Sequence, residues 1–133
     1  MTNMTKYDRH TKIFISAIIF IPLAMILFCI GTSSSIKNTQ KAVSGAVDRS
    51  LDADDANGEA AVSELKDIWQ RHSHKLVLFL NHDDINGVEL EIEEFSAAII
   101  QGDREVAERS GAKIKCLLDM MAGKDKLTLR NLL

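Results

Sequence analysis

A chain of 133 residues with a formal net charge of −3 has room for one modest core and little room for a second domain. The 46% hydrophobic content is very unevenly spread. Of 16 Lys and Arg and 19 Asp and Glu, 13 and 18 lie beyond residue 31, so that part carries −5, which argues against a nucleic acid or an anionic lipid surface as its main partner.

Residues 1–12 are short and polar, with Lys6, Arg9 and Lys12 against a single Asp8. They read as a basic cytoplasmic stub. Residues 13–30, IFISAIIFIPLAMILFCI, contain no charge, and as a helix they would cover roughly 27 Å, close to the hydrocarbon thickness of a bilayer. The run is longer than the apolar core of a cleaved signal peptide and no small-residue cleavage site follows it. Phe28 is too bulky for the small residue expected before a lipidated cysteine, so Cys29 does not mark a lipoprotein. An uncleaved signal-anchor spanning the bilayer is expected, with Pro22 absorbed as a kink. The basic stub faces only Lys37 and Lys41 on the other side, which predicts a cytoplasmic N-terminus and places residues 31–133 outside the cytoplasm.

One proline, one Trp, one Tyr and five Phe in the whole chain suit helices better than sheets. Residues 31–35, GTSSS, either cap a new helix or let the first one run on. Val43, Val47 and Leu51 then mark a weakly amphipathic helix that ends in the turn LDADDANGE. That turn resembles a calcium loop in composition only. With Gly58 sixth, Ala53 falls where the first carboxylate ligand must stand, so the register predicts a solvated turn.

From Glu59 a stronger stripe begins: Val62, Leu65, Trp69, His72, Leu76 and Phe79 at three-four spacing predict a helix to Asn81 with Trp69 as its largest buried anchor. Asp83 or Asp84 is positioned to cap a third helix with the stripe Ile85, Val88, Ile92, Phe95 and Ile99, ended by Gly102. Asp103 caps a fourth, with Val106 or Ala107, Ser110, Ile114, Leu117 and Met121 inward and Gly123 as its stop. Cys116 is expected as a small buried residue on that helix, unpaired with Cys29. Short connections imply antiparallel neighbours. The expected fold is therefore all-α: a single N-terminal transmembrane helix followed by a three- or four-helix antiparallel bundle. Gly58 and Gly102 open similar stretches 44 residues apart, which ordinary helix capping explains without a repeat.

Trp69, the His82-Asp83-Asp84-Ile85 run, the Gly102-Asp103 turn and the terminal Leu127-Thr128-Leu129-Arg130-Asn131-Leu132-Leu133 together resemble a family of small proteins of clostridia and their relatives. The resemblance implies a short chain with an N-terminal membrane segment and an all-helical exterior domain. The family carries only a domain-of-unknown-function label, so no activity comes with it. Gly87 and the aspartate-rich turn depart from its pattern.

No nucleophile elbow, glycine-rich phosphate loop or clustered His/Cys set occurs, and neither an enzyme nor a cofactor is expected. His72 and His74 are two apart and point in different directions on a helix, whereas a zinc pair wants i and i+4. The remaining metal candidates are His82, Asp83 and Asp84, for which a role in the helix junction is the plainer reading. Glu89, Glu91, Glu93 and Glu94 make a solvated acidic face or a contact for a basic partner. The sequence thus points to a non-catalytic, membrane-anchored interaction or scaffold protein of the cell envelope. Residues 13–30 engage the lipid bilayer, Trp69 and His82 anchor the structure, and Leu129, Leu132 and Leu133 form a lid or a docking segment for a protein partner. The alternative is an envelope sensor that binds a metal or ligand at His82, Asp83 and Asp84.

Overall fold

The computed structural model describes residues 2–132, with side chains at 8–124, 126, 130 and 131. Four helices are present among the described residues: α1 Thr2–Asp52, α2 Gly58–Leu76, α3 His82–Gln101 and α4 Arg104–Leu132. The chain divides into two compact units, Met1–Gly31 and Thr32–Leu133.

In the first unit the apolar run folds as helix without interruption at Pro22. Every residue from 8 to 28 is exposed, with Phe14 at 70% and Phe20 at 69%. Apolar side chains this uncovered have not been buried by folding, and the helix is long and apolar enough to cross a membrane. Lys12 pairs with Asp8 one turn back on the polar stub.

The second unit is a bundle built from residues 32–52 of α1 and the three helices that follow. Ile36, Thr39, Val43, Ala46, Val47 and Ser50 form the buried line of α1, a three-four spacing that keeps one face inward. Val62, Leu65, Ile68, Trp69 and Leu76 do the same for α2, and Ile85, Val88, Ile92, Phe95 and Ala98 for α3. Ion pairs and hydrogen bonds across the surface fix the directions. Arg49 meets Glu64 and Thr39 meets His72 between α1 and α2; Lys66 meets Glu93 between α2 and α3. Glu91 meets Lys113 and Asp84 meets Lys124 between α3 and α4, while Gln40 meets Asp119 and Asp48 meets Lys115 between α1 and α4. Where two pairs join the same helices, numbers rise on one as they fall on the other: α2 and α4 run antiparallel to α1 and α3 runs antiparallel to α4, which leaves α2 and α3 antiparallel as well. These surface pairs define register more than they stabilise it.

Three hydroxyls stand in the apolar lines at no cost in unpaired donors. Thr39, Ser50 and Ser96 each donate to the carbonyl four residues back, at 2.9, 2.8 and 2.6 Å. The Ser110 hydroxyl, fully buried on α4, has no such partner.

The structure decides one alternative and corrects four local expectations. Residues 31–35 let the first helix run on and lie within α1. Asn81, not Asp83 or Asp84, caps α3, because its side chain is the one that accepts from a first-turn amide. The second helix ends at Leu76 rather than Asn81, because the chain tightens there: the Phe79 and Leu80 amides both donate to the Leu76 carbonyl, and Asn81 turns extended to open α3. Gly123 does not stop α4. Only Gly102 takes a left-handed φ, +73°, and a glycine without that conformation is merely a poor helix former. Cys116 is exposed, since the inward line of α4 runs through Ala107, Ser110, Gly111, Ile114, Leu118 and Met121, which places residue 116 on the opposite side.

Candidate functional site

Two regions of the bundle bring together chemistry-bearing side chains. The first lies where residues 32–39 of α1, the end of α2, the start of α3 and the last turns of α4 meet. Asn81 caps α3 by accepting from the Asp83 amide at 3.4 Å. His82 is the first residue of α3 and is exposed, as is Asp83. Asp84 is half-buried, and both its carboxylate oxygens accept from Lys124 Nζ, at 2.8 and 3.0 Å. The three residues are thus adjacent in space, and the third is already engaged across the bundle.

At the same end of the bundle, His72 is half-buried with its Nδ1 3.1 Å from Thr39 Oγ1. Thr39 has one hydroxyl proton, and it is directed at the Ser35 carbonyl. The Thr39 oxygen therefore accepts, and neutral His72 carries its proton on Nδ1. Burial lowers the His72 pKa from its ordinary 6.5, and the neighbouring Lys75 and Arg71 charges lower it further. Sequence periodicity placed His72 on the inward stripe but did not find its partner. The signal was available: Thr32, Ile36, Thr39 and Val43 form one helical line, with threonines in apolar positions.

The second region is the opposite end of the bundle. The turn after α1, the first residue of α2 and the α3–α4 turn enclose an open cavity of about 180 Å³ between Ser50, Asp54, Asp55, Gly58, Ile99 and Arg104. Asp103 caps α4 there, accepting from the Val106 amide at 3.2 Å, and Gly102 receives the chain in its left-handed conformation, with its amide and the next bonded to Ile99 and Ala98. Asp52, Asp54 and Asp55 of the turn and Asp103 are exposed, and Asp103 complements the N-terminal dipole of α4. Among the described residues no three His, Cys, Asp or Glu side chains are placed to share a metal ion.

Of the residues singled out from sequence, Trp69 is buried at 4% exposure within the core. Leu129 and Leu132 lie on α4, whose backbone continues to Leu132, but their side chains and the whole of Leu133 lie outside the described residues.

An exposed apolar helix of membrane-spanning length, together with an antiparallel helical bundle closed by side-chain pairs and lacking an enclosed ligand pocket among its described residues, defines a class: small all-α proteins with a candidate N-terminal membrane segment. Within that class the chain belongs to the family of the domain of unknown function DUF4363, whose model matches residues 31–132. No curated protein matches the chain, and no solved structure does.

Proposed function

We propose that the protein is a non-catalytic interaction or scaffold module of the cell envelope, anchored by residues 13–30 with its N-terminus in the cytoplasm and its bundle outside. The observation that carries this reading is the uncovered state of the apolar helix. Its large side chains, from Ile13 to Ile30, stand 46–70% exposed, and it holds no ionisable residue that would mark a transport path. Such a surface fits a lipid environment, which covers it along its whole length. The bundle supports the non-catalytic part of the reading: its half-buried titratable groups are spent on helix-to-helix pairs, and the cavity at its far end is lined by helix ends and the turns between them. A sensor built on His82, Asp83 and Asp84 draws less support, because Lys124 occupies the Asp84 carboxylate.

Cys116, exposed on α4, is a native reporter of sidedness. In a Cys29→Ser variant it is the only thiol. A membrane-impermeant maleimide should label it on intact cells, and the protein should stay with the membrane after carbonate extraction. Labelling only after permeabilisation overturns the orientation; extraction into the soluble fraction overturns the anchor.

A further inference from the structure

The domain charge of −5 conceals a separation along the bundle. The end where α1 enters the bundle comprises residues 32–41, 71–84 and 119–132. It holds seven Lys and Arg against four Asp, a net of +3. The rest of residues 31–133 holds six Lys and Arg against fourteen Asp and Glu, a net of −8. That these three segments form one end follows from the antiparallel pairs Thr39–His72, Asp84–Lys124 and Gln40–Asp119. Of the basic residues there, Lys37, Arg71, Lys75, Lys126 and Arg130 are exposed.

Apolar surface is added at the same end. In the turn between α2 and α3, Val77 is 40% exposed and Leu78 77% exposed, while Phe79 is half-buried and Leu80 packs against the core. Chain connectivity supplies the third observation. Thr32 opens the bundle unit immediately after Gly31, so whatever the angle between the units, this end is held within a residue or two of the point where the apolar run stops. From its pairing with Gln40, α4 runs on from Asp119 to Leu132, roughly 20 Å of helix, and carries Lys126 and Arg130 at this end.

We infer that this basic, leucine-tipped end is a second membrane contact: it seats on anionic lipid headgroups with Val77 and Leu78 in the interface, while the −8 remainder is repelled from the same surface. Basic side chains that reach headgroups beside an inserted apolar residue are how amphipathic elements hold a membrane surface. The occupant is lipid because the face combines positive charge with exposed apolar side chains and is tethered at a bilayer exit. This rests on the anchor reading above and adds to it a contact between the bundle and the lipid surface.

The test uses the full chain in vesicles of phosphatidylcholine and phosphatidylglycerol that carry acyl-chain-brominated lipid. A Leu78→Trp variant is compared with Ala56→Trp, an exposed position in the turn at the other end, and buried Trp69 provides the parent background. The added fluorescence at position 78 should be blue-shifted and quenched by bromine, and that at position 56 should not. Replacing phosphatidylglycerol with phosphatidylcholine, or combining Lys75→Glu, Lys126→Glu and Arg130→Glu, should reduce the docked-to-undocked ratio by about fivefold or more per charge.

If the chain floats with vesicles while position 78 is quenched no more than position 56, the docking inference fails and the anchor survives. If the chain does not float, both fail. A blue shift without bromine quenching identifies a protein occupant, such as a second copy, and overturns the lipid assignment. Quenching indifferent to lipid charge and to the three substitutions overturns it as well.

Discussion

Three glycines inside helices allow the packing of the bundle to be tested with one methyl group each. Gly87 in α3 and Gly123 in α4 have nothing within 4 Å of where a Cβ would stand. Alanine there gains helix propensity without contact, so Gly87→Ala and Gly123→Ala should each stabilise by up to about 1 kcal/mol. Gly111 differs in its neighbours. A Cβ there would stand 3.0 Å from Val47 Cγ1 and 3.3 Å from Phe95 Cε2, and both side chains are fully buried, so neither has free space into which to retreat. Overpacking a filled core costs about 1–3 kcal/mol. Set against the propensity gain of about 1 kcal/mol, Gly111→Ala should range from neutral to about 2 kcal/mol destabilising. The contrast between position 111 and position 87 is then about 1–3 kcal/mol, and each kcal/mol is worth about 4–8 °C of melting temperature in a domain of this size. Thermal unfolding of the full chain in detergent, followed by circular dichroism, resolves it. The double variant Val47→Ala with Gly111→Ala should cost less than the sum of the two single variants, since the two positions are in contact and their effects should not add. If Gly111→Ala raises the melting temperature as far as Gly87→Ala does, then α1, α3 and α4 do not meet at Val47, Phe95 and Gly111, and the packing argued above is wrong.

Two further outcomes follow from the ends of the helices. The folded state binds a proton at His72 less readily than the unfolded chain, whose imidazole titrates near 6.5. Between the lowered pKa and 6.5 the unfolded state therefore holds more protons, so stability should fall as pH is lowered below about 6.5 and through the His72 pKa; His72→Gln should flatten that part of the profile in a melting-temperature titration. Asp103→Ala removes the side-chain acceptor for the Val106 amide and should cost about 1 kcal/mol, while Asp103→Asn, which keeps an acceptor, should cost less in the same assay.

The stripes of the second and third helices were legible because large apolar residues mark every turn: Leu65, Trp69 and Leu76 on one, Val88, Ile92 and Phe95 on the other, all buried as their spacing requires. Gly102 and Asp103 were legible for a different reason. A left-handed glycine followed by an aspartate that caps is a local event, complete within a few residues. The errors occurred where a residue's role depends on what faces it. Gly123 looks like Gly102 in sequence, and only the absence of a turn to be made tells them apart. Cys116 looks like core because cysteine is small and apolar; a one-position offset of the inward line, through Leu118 rather than Leu117, turned it outward. The Thr39–His72 pair joins residues 33 apart, and no local pattern specifies such a partner.

The same distinction between local and assembled signals governs the membrane reading. The apolar run can be seen in any eighteen-residue window and needs no fold to interpret it. The charge separation cannot, since Lys37, Lys75 and Arg130 belong to three helices and become one surface only when those helices are antiparallel and in register. Summed over the chain, they vanish into a net −5 that argues against an anionic surface as partner. Sorted by position along the bundle, they yield one end at +3 and a remainder at −8. Attraction between exposed charges and headgroups decays over roughly 8–10 Å at physiological salt, less than the length of the bundle helices, about 29 Å for the 19 residues of α2. On the inference above, the charge that would matter to a membrane is the charge of the end facing it, and the acidity of the far end would not cancel that attraction but would set which end turns toward the lipid.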